Sequence, residues 1–259
     1  MCLVIVAHRM SAHYPLLVAA NRDEFHARPT QASHFWPEHP QLLAGRDEQM
    51  GGTWMGITRQ GRFAAITNYR DPERTQPAPR SRGELPLQFL VGSADPRHFI
   101  AELATHADEY AGFNLLLGDG RELWYYSNSQ PGTAAPTAAL APGIYGLSNA
   151  QLDTPWPKSE AGKTKLQALL DAGAVNHDAL ASVVGARQPA ELAALRAQGL
   201  DGEMDQLLSA QFIVTEAYGT RSCTSLWLDE QAQVHWREQS FDSAGVLRAE
   251  QVQEFHLSA

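Results

Sequence analysis

Cysteine is nearly absent from this chain. Only Cys2 and Cys223 occur among 259 residues, which excludes a disulfide-stapled scaffold and suits a reducing compartment. The ten histidines form no His-Glu-x-x-His pattern and there is no Cys-x-x-Cys, so no protein-bound catalytic metal and no cofactor is predicted. Gly45 and Gly51-Gly52 lack the Lys-Ser/Thr that completes a phosphate-cradling loop. Positive charge is also short. Lys and Arg total 20 against 29 Asp and Glu, a net charge of −9, and a nucleic-acid partner needs the opposite balance. No apolar run nears the roughly 20 residues of a membrane-spanning helix. The first run, Leu3 to Ala7, stops before Arg9 and is too short for the core of a signal peptide. The prediction is a cytoplasmic protein. With 44% hydrophobic residues, residues 1–259 can bury the core of a single domain.

What is present is a series of short β-type runs. Leu3–Ala7 and Leu16–Ala20 are rich in Val, Ile and Leu and read as two strands of a hairpin. If it turns near Ser11, residues whose numbers sum to about 23 face each other, which sets Cys2 opposite Asn21, give or take two residues. Trp54–Thr58 and Phe63–Thr67 flank the Gln60-Gly61 turn as a second hairpin, closed by Asn68. Phe113–Leu117 and Leu123–Tyr126 flank Gly118-Asp119-Gly120 as a third. Asp95-Pro96 is a helix start, Asp at the N-cap and Pro at the first helical position. Leu166, Leu169 and Leu170, then Leu180, Val183 and Val184, mark two helices, and alanine-rich 186–208 reads as a helical excursion. Residues 71–86 read as a loop. Hairpins dominate, and strands do not alternate strictly with helices. That pattern predicts antiparallel sheets with grouped helices, the α+β class, over a doubly wound parallel sheet.

Cys2 carries the main chemical signal. Removal of Met1 would make it the N-terminal residue, with a nucleophilic thiol and an α-amine whose ordinary pKa of roughly 7.7–8.0 suits a base. The competing reading is a small residue buried in the first strand. Asn21-Arg22-Asp23-Glu24 concentrates polar groups near that thiol, and Asp23 can orient the amine. Asn68 and Asn149 each end an apolar run, where an amide can donate to an oxyanion or simply terminate a strand. Arg221 shares strand parity with Cys223 and Trp227, so it either faces inward toward Asp23, Glu24 or a bound carboxylate, or sits solvated in a turn. Arg70, Arg74, Arg80 and Arg82 either attract an anion or are solvated loop charges.

Together these residues resemble one family. Met1-Cys2, Ala19-Ala20-Asn21-Arg22-Asp23-Glu24-Phe25 with Arg28-Pro29, Gly51-Gly52-Thr53-Trp54-Met55-Gly56 and Thr67-Asn68-Tyr69 look like the NRDE family, which includes the transport-and-Golgi-organisation proteins. So do Leu147-Ser148-Asn149, Asp153-Thr154-Pro155-Trp156-Pro157-Lys158 and Tyr218-Gly219-Thr220-Arg221. That family in turn resembles the N-terminal nucleophile hydrolases of the penicillin V acylase and bile salt hydrolase group. The resemblance implies a four-layer αββα sandwich of two antiparallel sheets. It implies Cys2 as nucleophile, Asp23 near its amine, Asn68 and Asn149 near the oxyanion, and Arg221 as a charge partner, with Asn21, Arg22, Trp54 and Tyr69 as binding or supporting residues. One departure stands out. The hydrolase group carries Arg immediately before the Asn, where this chain has Ala20; Arg22 follows instead, and strand alternation turns it away from the thiol. Two functions follow. One is hydrolysis of a non-peptide amide in a small acyl substrate. The alternative is a non-catalytic binding or trafficking protein for haem, acyl-CoA or lipid, with Trp36, Trp54, Tyr69 and Trp156 lining an apolar cleft.

Overall fold

A computed structural model describes residues 2–70, 78–129, 136, 138–200 and 202–258. In chain order it begins β1 (Cys2–His8), β2 (Leu16–Phe25), β3 (Thr30–Trp36), β4 (His39–Asp47), β5 (Met55–Thr58) and β6 (Phe63–Asn68). Helices α1 (Glu84–Val91) and α2 (Pro96–Leu103) follow, then β7 (Phe113–Gly118), β8 (Leu123–Ser127) and β9 (Gly143–Leu147). The remainder is α3 (Pro157–Asp171), α4 (His177–Val183), α5 (Leu192–Arg196), α6 (Glu203–Leu207), β10 (Tyr218–Leu228), β11 (Gln233–Phe241) and β12 (Leu247–His256). The chain divides into two compact units, residues 1–27, 142–148 and 153–254 in the first and 28–141, 149–152 and 255–259 in the second.

The first unit holds a six-stranded sheet in the order β12-β11-β10-β2-β1-β9. The pairings β1–β2, β1–β9, β2–β10 and β10–β11 are all antiparallel. Leu3, Ile5, Leu17 and Ala19 point to one face and pack against Leu166 of α3 and Leu180 and Val183 of α4. Their neighbours Val4, Val6, Val18 and Leu226 alternate to the opposite face and are buried too. A sheet buried on both faces needs continuous apolar strands, which is why β1 and β2 read as unbroken runs. Gly162 sets how close α3 comes to the sheet, since a Cβ there would lie 2.7 Å from the Ile5 side chain.

The second unit is an antiparallel meander in the order β3-β4-β5-β6-β7-β8. Leu85, Phe89 and Leu90 of α1 and Ile100 and Leu103 of α2 pack on one face against Leu42, Ile66 and Leu115. Asp95 caps α2 by accepting from the His98 N–H, and Pro96 opens it, as the sequence predicts. The antiparallel pairing and grouped helices make the fold α+β, as read from the hairpin pattern. Other details differ. The β3–β4 hairpin, rich in His and polar residues, gave no alternating signal. Helix α1 begins at Glu84, inside the stretch read as a loop. Among its described residues, the alanine-rich excursion contains only the short helices α5 and α6. Trp36, assigned above to a cleft, is instead fully buried with its indole N–H on the Ala44 carbonyl oxygen at 3.0 Å. The Trp54 ring packs against Gly45, where a Cβ would come within 2.2 Å of the indole. No helix among the described residues is long and apolar enough to cross a membrane.

Candidate functional site around Cys2

The β1–β2 register pairs Cys2 with Arg22 and Leu3 with Asn21. The hairpin expected from spacing placed Cys2 opposite Asn21, one residue away. The turn closes on Arg9, left-handed at φ 52° with its N–H on the Pro15 carbonyl oxygen at 2.9 Å, and this centres the hairpin beyond Ser11. A one-residue step inverts every side chain. It corrects the prediction for Arg22, which shares the face of Cys2 and whose charge acts on the thiol. Arg22 is buried, with its Nη2 3.8 Å from Glu24 Oε2.

Cys2 itself is half-buried. Burial pushes its thiol up and the Asp23 carboxylate adds to the rise, while the Asp23 backbone N–H and the Arg22 charge oppose it. The Ser148 hydroxyl donates to the Cys2 carbonyl oxygen at 2.8 Å and fixes the strand end. Asp23 is buried and accepts from the Thr220 hydroxyl at 2.6 Å, and its carbonyl oxygen accepts from the Tyr218 hydroxyl at 2.9 Å. Burial raises the Asp23 carboxyl, against the pull of Lys158, Thr220 and Arg22.

Parity left Arg221 either facing inward toward Asp23, Glu24 or a bound carboxylate, or solvated in a turn. A β-bulge between Thr220 and Ser222 decides its place. The extra residue lets Thr220 take the position facing Asp23, and Arg221 is displaced to donate to the Phe25 carbonyl oxygen at 2.9 Å, with Glu24 as its charge partner. Bulges leave no reliable mark in composition. Asn21 has a structural job: its buried amide donates to the carbonyl oxygens of Val184 at 2.7 Å and Gln211 at 2.8 Å.

Lys158 closes the motif Asp153-Thr154-Pro155-Trp156-Pro157-Lys158, which predicts no role for it. It is buried in the first turn of α3, and its ammonium donates to the Leu208 carbonyl oxygen at 3.0 Å. Burial pulls it down, while Asp23 and then Cys2 hold it up. A cation at a helix N-terminus works against the helix dipole, and that misplacement was the available signal.

The second unit brings Asn68 and Asn149 together. The buried Asn149 amide donates to the Asn68 backbone oxygen at 2.8 Å, and the Asn149 carbonyl oxygen accepts from the Arg70 N–H at 2.7 Å. Tyr69 follows with its N–H on the Gly112 carbonyl oxygen at 2.9 Å. Of the arginines read as loop charges, Arg80 pairs with Glu84 and Glu109, Arg82 donates to the Gly112 carbonyl oxygen, and Arg74 lies outside the described residues. Met1, whose removal would free the Cys2 amine, also lies outside them. Among the described residues no cluster of His, Cys, Asp and Glu is arranged to hold a metal ion.

Among solved structures, a Caenorhabditis elegans N-acylethanolamine-hydrolyzing acid amidase ortholog aligns at 10% identity and a TM-score of 0.39, covering 71% of this chain and 85% of that one. The C2A mutant of the conjugated bile acid hydrolase from Clostridium perfringens aligns at 8% identity and a TM-score of 0.46, covering 100% and 98%. Sequence relatives are nearer. A Transport and Golgi organization protein 2 homolog from Bos taurus is 36% identical over 263 residues, covering 95% of this chain and 94% of its own length. The Homo sapiens homolog is 36% identical over 243 residues, covering 88% and 87%. The Drosophila melanogaster Transport and Golgi organization protein 2 is 27% identical over 180 residues, covering 61% and 60%. The sequence model of Transport and Golgi organisation 2 matches residues 1–243, and the chain belongs to that family.

Proposed function

We propose that this chain is an N-terminal nucleophile-type hydrolase of a non-peptide C–N amide bond, with Cys2 as the nucleophile once Met1 is removed. One observation supports the reading above the rest. Cys2 pairs with Arg22, the neighbour of Asp23, and the Asp23 carboxylate is held by the Thr220 hydroxyl at 2.6 Å, so nucleophile and orienting acid sit on paired strands. In this reading the thiol proton passes to the α-amine of Cys2 and the thiolate adds to the acyl carbonyl carbon. Collapse expels the amine, which leaves with the transferred proton, and a thioester remains. Water then cleaves the thioester and returns the proton to the site. The test is intact mass of native protein with and without an electrophilic acyl probe. Loss of Met1 and one acyl adduct that vanishes in Cys2→Ala are expected. Retained Met1, or equal labelling of Cys2→Ala, refutes the reading.

A second reading, a binding or trafficking protein for haem, acyl-CoA or lipid, draws on a different observation. Burial pushes the Cys2 thiol up, which weakens it as a nucleophile. Titrating haem and acyl-CoA into wild type and Cys2→Ala separates the two. Saturable binding without turnover, unchanged by the substitution, favours the second; no binding of either ligand removes it.

A further inference from the structure

The first sheet ends on β12, which has β11 as its one neighbour there among the described residues. An edge strand turns the N–H and C=O of every second residue outward, and proteins guard such edges with short strands, proline or repelling charge. β12 runs for ten residues without proline. Residues 246–250 are exposed without a break, and Val252 is exposed beyond them. Three of these side chains are aliphatic, Val246 at 49% exposure, Leu247 at 46% and Val252 at 49%. The turn into the strand is tied by the Asp242 N–H on the Val246 carbonyl oxygen at 3.1 Å, so this edge starts from a fixed point.

The side chains along this edge complement themselves. When a second copy lies antiparallel with Ala249 opposite Ala249, Val246 faces Val252 and Arg248 faces Glu250, each pair occurring twice. Leu247 faces Gln251, and alanine, the smallest side chain of the stretch, stands on the axis. Two-fold symmetry allows only registers in which a residue meets its own copy. One step to either side sets Arg248 against Arg248 or Glu250 against Glu250, and like charges directly opposed destabilise a strand pair. Charge thus selects the Ala249 register. Both charged groups keep one end for the second copy. Arg248 Nε donates to Asp242 Oδ2 at 2.7 Å, with Nη2 on the same oxygen, which leaves Nη1. Glu250 Oε2 accepts from Gln239 Nε2 at 3.0 Å and lies 3.7 Å from Arg237 Nη1, which leaves Oε1. We propose that β12 is the dimerisation edge of this chain: two copies pair through residues 246–252 about a two-fold axis at Ala249 and join their first sheets edge to edge. So short a strand pair buries less than the ~800 Å² per partner of a standard interface. The dimer is therefore concentration-dependent, with a dissociation constant on the order of micromolar.

The experiment is sedimentation velocity of the full chain from roughly 1 to 200 µM, either side of that constant. A reversible monomer–dimer equilibrium is expected. Arg248→Glu sets a carboxylate opposite each Glu250 and raises the dissociation constant about tenfold or more. Adding Glu250→Arg re-forms both pairs with their signs exchanged and restores the dimer. A cross-link carries the test if that double variant does not fold. In a Cys2→Ala background, Ala249→Cys brings two thiols together at a Cα separation of about 4.5–5.5 Å, within disulfide range, and mild oxidation gives a covalent dimer on a non-reducing gel. Leu247→Cys does not cross-link, because its copy lies about 13 Å farther along the second strand. Sedimentation as a monomer throughout overturns the proposal. So does a dimer that Arg248→Glu leaves equally tight, or one that cross-links through position 247 as readily as through 249. Neither readout involves the chemistry of Cys2, so the dimer stands or falls apart from the proposed hydrolysis.

Discussion

Replacing Asn21 by alanine tests whether the first residue of the polar tetrapeptide is a strut. Its amide supplies both hydrogens to backbone oxygens that lie far off in sequence, Val184 at 2.7 Å and Gln211 at 2.8 Å, and the residue is 2% exposed. Each bond contributes a net stability of ~1 kcal/mol, so two set a lower figure of about 2 kcal/mol. Two buried carbonyls left without their donor raise the loss toward about 4 kcal/mol. A domain's stability is only about 5–15 kcal/mol, so the urea midpoint of Asn21→Ala, followed by circular dichroism, falls clearly while the slope stays constant. Asn21→Asp is nearly isosteric but offers no donor and turns a carboxylate toward two carbonyl oxygens. Its loss exceeds that of alanine at neutral pH and shrinks as the acid is protonated. A change within about 0.5 kcal/mol of wild type in Asn21→Ala, the scale of an ordinary surface substitution, refutes the assignment.

Three other outcomes are expected. Gly45→Ala drives a Cβ to 2.2 Å from the Trp54 indole; tryptophan fluorescence shifts and stability drops by about 1–3 kcal/mol, and an unchanged spectrum and midpoint contradict the packing described. Burial lowers the His177 ring to about 4, with Arg237 adding to the shift. The unfolded chain therefore binds that proton first as pH falls. Stability due to His177 is complete above the unfolded value near 6.5. It is lost between there and about 4, so urea midpoints of His177→Gln fall less steeply than those of wild type over that range; parallel curves exclude the effect. Thr220→Val removes the hydroxyl that donates to Asp23; Cys2 alkylation then shifts along the pH axis while Cys223 remains unlabelled, and labelling of both cysteines in the folded variant would show that the first unit has opened.

The sequence revealed the hairpins well where a buried strand is apolar throughout, as in Leu3–Ala7 and Leu16–Ala20, or where a glycine turn divides two such runs. It was silent on β3, β4 and β12. The exposed residues of β12 need no apolar alternation, and β3 mixes His and Ser with its two aromatics. At the site, proximity of Cys2 to Asp23 was legible because a hairpin converts spacing into pairing. Face was not, because one residue in the turn decides it, and Arg22 ended on the thiol's side. Arg221 shows the same limit in another form, since a bulge consumes one residue and hands its expected position to Thr220. The burial of Lys158 was not legible because it depends on how α3 packs, through Gly162 and Gln211, on strands more than a hundred residues earlier.

The interleaving of the two units has a consequence for biosynthesis. All six strands of the second sheet, β3 to β8, leave the ribosome as one uninterrupted stretch, so that meander can close while translation continues. The first sheet cannot. After β1 and β2 emerge they wait for more than a hundred further residues before β9 arrives, and longer still for β10. The thiol at position 2 is thus made well before the strands that flank its hairpin. During that interval it lacks the paired strands that leave it half-buried in the finished molecule.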